Sequence, residues 1–245
     1  ELVTLKKDVP VKNNINEFRL KEINRDKLYN FLREMEFNRL LSSVISTYGE
    51  ILLSEDKSIE KHKINQEISK KNYEIIKSEN EIDKWLIEAE EFGELAIDTE
   101  TSSLDPHQAK LVGISLSTKI GKAVYIPIGH KKGENLVEKK VLQKLKPILE
   151  DKSIKKIGQN IKFDYIIFFH RGIDITPLED TMLMSYVLDA GKNRHNMDTL
   201  SVLHLGHKPI AFKELVGTGK KEINFSEVNI IDAKDYAAED ADITF

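Results

Sequence analysis

At residues 95–101 the chain reads Leu-Ala-Ile-Asp-Thr-Glu-Thr, an apolar run that ends in two acidic residues. The apolar part is typical of a buried strand, and side chains two residues apart on a strand point to the same face. Asp98 and Glu100 are therefore suited to bind one metal ion together. The spacing alone is a weak signal, because 41 acidic residues among 245 produce roughly seven such pairs by chance. Their position favours a functional site, since an unpaired charge at the edge of a buried sheet is costly.

A second acidic motif follows at residues 158–164, which read Gly-Gln-Asn-Ile-Lys-Phe-Asp. The pattern indicates the end of a strand and the start of a helix, and it delivers the carboxylate of Asp164 beside apolar residues. An alternative without function stays open. In that case Asn160 caps the helix and Asp164 is a first-turn acid favoured by the helix dipole.

A third motif at residues 236–240 reads Tyr-Ala-Ala-Glu-Asp. Tyr236 and Asp240 are four residues apart, on one face of a predicted helix, although a surface helix with a half-buried tyrosine is the alternative. The three motifs together supply four carboxylates and a phenol on elements that can converge at one sheet edge. Such a set suits two hard divalent cations about 4 Å apart, which activate water and stabilise the leaving oxygen of a phosphodiester.

The composition limits other kinds of chemistry. The chain has 245 residues, 40% of them hydrophobic, which is enough for a folded core. Without cysteine, disulfides, thiolate zinc sites and cysteine nucleophiles are excluded. The seven histidines show no ligand spacing and are predicted to be structural or exposed. The net charge of −4 argues against a broad basic surface, so any contact with nucleic acid would have to be local.

The sequence contains no sign of a membrane segment. No apolar stretch approaches the roughly 18 residues of a transmembrane helix, and the polar start at Glu1 lacks a signal-peptide layout and an initiator Met. We expect a soluble, cytoplasmic protein without a membrane partner. The sequence also has the character of an internal fragment.

Periodicity predicts an α/β fold. One helix is expected from Arg25 to Val44, the charged residues 54–71 are predicted to form a linker, and a capping box at 78–81 opens a helix that Gly93 ends. Strands are predicted at 95–97, 110–118, 122–128 and 155–158, and further helices at 136–149, 162–170, 179–189, 197–205 and 232–245. Strands that are first antiparallel and then alternate with helices favour a mixed sheet flanked by helices.

The three motifs resemble those of the DnaQ-like exonuclease superfamily, in its tyrosine-bearing subclass. Further stretches resemble the proofreading domain of bacterial DNA polymerase I, a family A polymerase; they are residues 98–105, 158–164, 180–183, 194–198 and 236–242. This resemblance covers about residues 70–245. It implies an RNase H-like fold and a 3′–5′ exonuclease that releases deoxynucleoside monophosphates from single-stranded or mispaired DNA 3′ ends during replication and repair.

The resemblance implies a metal site. Asp98, Glu100, Asp164 and Asp240 would hold two divalent cations, Mg²⁺ or Mn²⁺, with Zn²⁺ as an alternative at one position. Asp98 would bridge both cations. Tyr236 would orient the attacking water with Glu100 as its partner, since a phenol with a pKa near 10 suits hydrogen bonding better than ionisation at pH 7.

The resemblance also implies residues that bind the DNA strand. Leu104 and Phe163 match positions that pack against the terminal base and sugar, with ordinary core packing as the alternative. Gln159, Asn160 and Arg194 match positions that contact the terminal nucleotides and their phosphates, and a solvated loop charge is the alternative for Arg194.

The same resemblance divides the chain. Residues 1–53 would be the helical tail of a 5′-nuclease region, residues 54–71 a charged linker, and residues 72–245 the exonuclease domain, truncated in its last helix. The expected partners are a single-stranded DNA 3′ end and the polymerase module of the same full-length chain.

Two other functions stay open. One is an RNA 3′-exonuclease of the same superfamily, and the other is a silent scaffold that only binds single strands or supports a polymerase. The intact acidic residues argue against the scaffold. Lys155, Lys156 and Lys162 lie near the second motif; the default prediction for them is a solvated face, and local positive potential at the motif is the alternative.

Overall fold

The computed structural model describes residues 5, 8–10, 19, 22–49 and 71–245 of the chain. The chain divides into two units, residues 1–63 and residues 64–245. The predicted boundaries at residues 53 and 71 stay predictions, because residues 50–70 lie outside the described part.

In the first unit, the described residues form two helices, α1 (Arg25–Glu34) and α2 (Asn38–Tyr48). The expectation of one continuous helix is therefore wrong. Glu36 has a positive φ of 54°, which ends the first helix and lets the second fold back on it. Tyr29 of α1 is buried, and its hydroxyl donates a hydrogen bond to the Gly49 carbonyl at the end of α2.

The second unit is built on a six-stranded mixed sheet with the order β1-β4-β3-β2-β5-β6. The strands are β1 (Asn72–Ile75), β2 (Glu94–Thr101), β3 (Leu111–Lys119), β4 (Lys122–Pro127), β5 (Lys155–Gly158) and β6 (Leu178–Asp180). β2, β3 and β4 form the predicted antiparallel meander, whereas the pairs β1/β4, β2/β5 and β5/β6 are parallel. The two short edge strands, β1 and β6, are not among the predicted strands.

Seven α-helices of the described residues flank this sheet. They are α3 (Ile82–Phe92), α4 (Glu138–Leu149), α5 (Lys162–Phe169), α6 (Thr181–Asp189), α7 (Met197–Leu200), α8 (Phe212–Val216) and α9 (Ile230–Thr244). The predicted helix at 197–205 is α-helical only to Leu200 and continues as a π-helical segment. The mixed sheet between helices confirms the predicted α/β class.

The start and end of α3 follow from local sequence. The Glu81 carboxylate accepts hydrogen bonds from the Ser78 hydroxyl at 3.0 Å and from the Lys77 amide at 3.1 Å, which closes the turn before the helix. Gly93 ends the helix with a left-handed φ of 71°. Trp85 and Ala89 lie on its buried face. Gly93 thus ends the helix as predicted, whereas the predicted capping box is not formed, because the Ser78 hydroxyl donates to Glu81 and accepts from no backbone amide.

The sheet that contains β2 separates two hydrophobic cores. Its residues Leu95 and Ile97 belong to the core that α3, α4 and α5 cover. A second core lies under α9 and includes Tyr125 of β4. Because side chains alternate along a strand, Asp98 and Glu100 point toward the face that α9 covers.

Lys156 of β5 is buried, although it is predicted to lie on a solvated face. Its ammonium donates hydrogen bonds to the carbonyl oxygens of Ile148 at 3.2 Å, Asp151 at 2.6 Å and Ile154. Burial lowers the pKa of this lysine to about 8. The ammonium of Lys156 therefore stabilises the loop after α4 by hydrogen bonds. It does not add positive potential to the acidic motifs.

Lys156→Met removes the ammonium that donates to these three carbonyl oxygens, of which those of Ile148 and Asp151 keep a backbone amide donor. We expect the free energy of unfolding to fall by about 2 to 4 kcal/mol, measured by urea denaturation. The control is Lys155→Met, the same change at the exposed neighbouring residue, which should alter it by less than about 0.5 kcal/mol. Equal stabilities of the two variants would contradict this role.

No helix in the described part of the chain is long and apolar enough to cross a membrane.

Candidate active site

Asp98 and Glu100 lie on the half of β2 that has only one neighbouring strand. β5 pairs with residues 94–96 of β2, whereas β3 stays paired along residues 96–101. The second half of β2 is therefore open on one edge, which leaves room for side chains from other elements. The register shifts after Glu100, where the regular pairing ends.

Gly113 of β3 lies opposite Glu100 in the sheet register. A Cβ atom at this glycine would lie 2.0 Å from the Tyr125 hydroxyl, so only glycine leaves room for the ring. The hydroxyl is 2.7 Å from His130 Nε2, and His130 Nδ1 is 3.1 Å from the Val228 carbonyl oxygen. These partners assign the proton to Nδ1, and Nε2 accepts from the tyrosine. A buried polar network thus supports the sheet behind Glu100.

Asp164 lies on the first turn of α5, next to β2. It is buried, and its carboxylate accepts hydrogen bonds from the Thr99 amide at 3.0 Å and from the Thr99 hydroxyl. Thr99 is the residue between the two acids of β2, so this contact brings Asp164 beside them. Asp164 is thus a first-turn acid, as the alternative supposed, but it is also part of the acidic site.

The turn before α5 depends on Asn160, which has a positive φ of 58°. The amides of Asn160 and Ile161 each donate to the Asp180 carboxylate at 3.1 Å. Ile161 is the N-cap residue of α5 and makes no side-chain cap hydrogen bond. Asn160 is therefore not the helix cap of the alternative interpretation, and its side chain lines the site.

Tyr236 and Asp240 lie on one face of α9, as predicted. The Asn229 side chain accepts from the Ile231 amide and caps the helix. The buried residues that carry α9 across the sheet are mostly alanines, which let the helix approach closely; they are Ala233, Ala237, Ala238 and Ala241. The close approach of α9 places Asp240 beside Asp98 and Glu100 of β2.

The acidic side chains meet in one cleft. A carboxylate oxygen from each of Asp98, Glu100 and Asp240 lies within 4.8 Å of the other two. The cleft has a volume of about 480 Å³, and Asp164 and Tyr236 also line it. Its described lining contains no lysine and no arginine. The negative charge of this cleft is therefore not compensated by a basic side chain of its own wall.

Burial and this negative charge together shift the pKa values of the acidic side chains and the tyrosine in the cleft. Burial raises the pKa of Asp98 to about 6. Burial, together with repulsion from neighbouring carboxylates, raises the pKa values of Glu100, Asp164 and Asp240. Burial and the charge of Asp240 raise the pKa of Tyr236, so its hydroxyl keeps its proton at neutral pH.

The donor set of the cleft fits hard divalent cations. Such cations prefer carboxylate oxygens, and several carboxylates from separate elements converge here. A bound cation would also remove the repulsion that raises the pKa values. The residues are therefore consistent with a metal site.

A family model described as 3′–5′ exonuclease matches residues 73–245. The chain belongs to this 3′–5′ exonuclease family. DNA polymerase I of Rhizobium leguminosarum is 44% identical over 184 residues, which cover 66% of this chain and 18% of that protein. DNA polymerase I of Pseudomonas aeruginosa is 36% identical over 250 residues, which cover 100% of this chain and 27% of that protein. The chain thus spans about a quarter or less of these two relatives.

The fold of this exonuclease family member also matches a solved structure. Escherichia coli RNase D, an exoribonuclease involved in structured RNA processing, superimposes with a TM-score of 0.53 at 19% identity, over 70% of this chain and 42% of that chain. At this identity the match concerns the fold alone. It agrees with the predicted RNase H-like class.

Four of the five predicted DNA-binding residues line the cleft of this exonuclease family member; they are Leu104, Gln159, Asn160 and Phe163. Leu104 is 95% exposed, which excludes the core-packing alternative for it, whereas Phe163 also packs against the core. Gln159 donates to the His195 carbonyl at 2.8 Å, so the segment after Arg194 lies beside the cleft. Arg194 itself is exposed and is not among the lining residues.

The cleft is also lined by two aromatic residues that the sequence motifs do not indicate. Phe212 and Phe225 line the cleft and stack on each other with ring centroids 6.1 Å apart. Both rings also contact Tyr236, at 5.9 and 6.2 Å between centroids. Phe212 begins the short helix α8 and Phe225 begins a 3₁₀ turn, and neither segment is long enough for a periodic pattern that would have pointed to the cleft.

The raised pKa of Asp98 predicts a pH-dependent stability without metal. Its pKa of about 6 in the folded protein exceeds the ordinary 3.8, so the folded state binds the proton more tightly than the unfolded chain. The free energy of unfolding must then fall as the pH rises from 4 to 6. In EDTA we expect the wild type to lose about 1 to 3 kcal/mol more than Asp98→Asn across this range, measured by urea denaturation. Parallel curves for the two proteins would contradict the prediction.

Proposed function

We propose that the chain is a two-metal 3′–5′ exonuclease that releases deoxynucleoside monophosphates from single-stranded or mispaired DNA 3′ ends. The observation that carries this proposal is the convergence of four carboxylates and Tyr236 in one cleft without a basic side chain in its described lining. Membership of the 3′–5′ exonuclease family supports the reaction, and the relatives named DNA polymerase I support DNA as the substrate.

In the proposed site, Asp98, Glu100 and Asp240 hold one cation, and Asp98 with Asp164 holds the second. Mg²⁺ or Mn²⁺ are the proposed ions, with Zn²⁺ as an alternative at one position. When bound, two such cations activate water and stabilise the charge that develops on the phosphate and the leaving 3′-oxygen. The mutual closeness of the first three carboxylates supports the first of these ligand sets.

We propose that Tyr236 positions the attacking water by hydrogen bonding. Its raised pKa keeps the phenol protonated, which argues against a role as an ionised base. The contacts with Phe212 and Phe225 hold the ring at the wall of the cleft. Glu100 is the proposed second partner of the same water.

The strand end is proposed to lie between the two apolar walls of the cleft. Leu104 and Phe163 would separate the last bases, and Gln159, Asn160 and Arg194 would contact the terminal nucleotides. Apolar contact and stacking accept any base, so selectivity for mispaired ends would come from their easier melting. The exposure of Leu104 at the cleft supports this role.

The polymerase module of a longer chain is the proposed partner, and the cytoplasm is the proposed location. The relatives named DNA polymerase I, which are much longer than this chain, support both proposals. A module that extends the DNA strand would supply mispaired 3′ ends to this site.

A single-stranded DNA oligonucleotide with a 5′ label tests the proposed activity. We expect a ladder that shortens from the 3′ end with Mg²⁺ or Mn²⁺ and disappears with EDTA or in Asp98→Ala. Tyr236→Phe should lower kcat by about 100-fold and retain a residual ladder, because it removes only the hydroxyl that positions water.

The matched control is an RNA oligonucleotide of the same sequence. We expect slower digestion of the RNA. Faster digestion of the RNA would favour the RNA exonuclease, and a folded wild type that binds metal but digests neither strand would favour the scaffold.

A further inference from the structure

Helix α9 carries acidic residues on two sides. Tyr236 and Asp240 face the cleft, whereas Glu239 and Asp242 do not line it. Glu239 is nevertheless buried, with only 3% of its surface exposed. A buried carboxylate outside the reactive cleft needs partners that offset its desolvation.

Glu239 has three such partners. Its carboxylate accepts hydrogen bonds from Lys71 Nζ and from the Ile210 amide at 2.6 Å, and His207 Nε2 lies 2.9 Å from it. Lys71 directly precedes β1, and His207 and Ile210 belong to the segment before α8. One side chain of α9 therefore joins the helix to two separate parts of the unit.

Asp242, one helical turn further on, fixes the helix to the sheet edge. Its carboxylate accepts a hydrogen bond from the Tyr73 hydroxyl of β1 at 2.7 Å and from the Gly121 amide at 2.6 Å, in the turn between β3 and β4. Tyr73 lies on the edge strand β1, and neither partner lines the cleft. The two carboxylates together form what we call the rear clamp of α9, consisting of Glu239 and Asp242.

The core contacts of α9 do not by themselves fix its position along the sheet. Four alanines form most of its buried face, and such small side chains allow a close approach but interlock little. Directional hydrogen bonds at both ends of the Glu239–Asp242 segment supply the missing constraint. Asp240 lies between these two anchored residues.

We infer that Glu239 and Asp242 are positioning residues that hold Asp240 at the metal-binding distance from Asp98 and Glu100. The inference rests on the proposed function, because it assigns the rear clamp to the same metal site. A shift of α9 by a fraction of a turn would open the group of carboxylates that now lie within 4.8 Å of one another. Residues that orient metal ligands in this way commonly contribute 10- to 100-fold, by order of magnitude, to metal affinity or activity.

The test compares three variants of this chain. Glu239→Gln removes one of the two charges of the rear clamp. Tyr73→Phe removes one hydroxyl donor and keeps every carboxylate, and Asp232→Asn is a control at an exposed acid on the first turn of the same helix. Mn²⁺ affinity is measured by electron paramagnetic resonance, kcat and KM with the single-stranded DNA, and the free energy of unfolding in EDTA.

We expect Glu239→Gln to weaken Mn²⁺ binding and lower kcat by about 10- to 100-fold, with a KM for DNA that changes less than about twofold because the strand-binding wall is untouched. Tyr73→Phe should weaken Mn²⁺ binding and lower kcat several-fold. Asp232→Asn should match the wild type in both. If Glu239→Gln does not fold, the Mn²⁺ affinity and kcat of Tyr73→Phe test the inference by themselves.

Folded variants with lower stability but wild-type Mn²⁺ affinity and kcat would overturn the inference, since the rear clamp would then only stabilise the fold. A wild type that neither binds Mn²⁺ nor digests DNA would overturn the proposed function and, with it, the inference. An active wild type with unaffected variants would overturn the inference alone.

Discussion

Repulsion among the four carboxylates of the cleft is the constraint on which the arrangement around it depends. Each acid is costly to bury, and the charge of Asp98 adds to the raised pKa values of Glu100, Asp164 and Asp240. A protein keeps such a cluster only where surrounding contacts hold it and where a cation can offset the charge. The described lining contains no lysine or arginine that could offset it.

The fold holds the acids through contacts outside the cleft. β2 extends past β5, so Asp98 and Glu100 reach an open edge, and Thr99 between them fastens Asp164 of α5. Asp180 holds the turn before α5 through two backbone amides. Asp240 arrives on a helix that alanines bring close to the sheet. The four acids thus come from three elements, β2, α5 and α9.

Much of this arrangement follows from local sequence. The two-residue spacing of Asp98 and Glu100 places both on one face of a strand, and the four-residue spacing of Tyr236 and Asp240 places both on one face of a helix. Gly93 predicts the end of α3, and the pattern from Ser78 to Glu81 predicts its start although the capping hydrogen bond itself is absent. Periodicity also predicts the antiparallel meander.

The missed features depend on contacts distant in sequence. β1 and β6 have four and three residues, too few for a periodic pattern, and neighbouring strands define them. The positive φ at Glu36 that divides the first helical region has no sequence signal such as glycine. The sequence alone predicts Lys156 to be a surface residue, and its burial depends on the three carbonyl oxygens that it contacts in the folded protein. Phe212 lines the cleft only through tertiary packing.

The measurement that tests the central claim most directly is a crystal structure of this chain soaked with Mn²⁺, with the ions located by anomalous scattering. The account predicts two ions about 4 Å apart, both bound to Asp98, with Glu100 and Asp240 on one ion and Asp164 beside the other. A cleft that stays without Mn²⁺ at saturating concentration, or ions bound only at other surface acids, would contradict it.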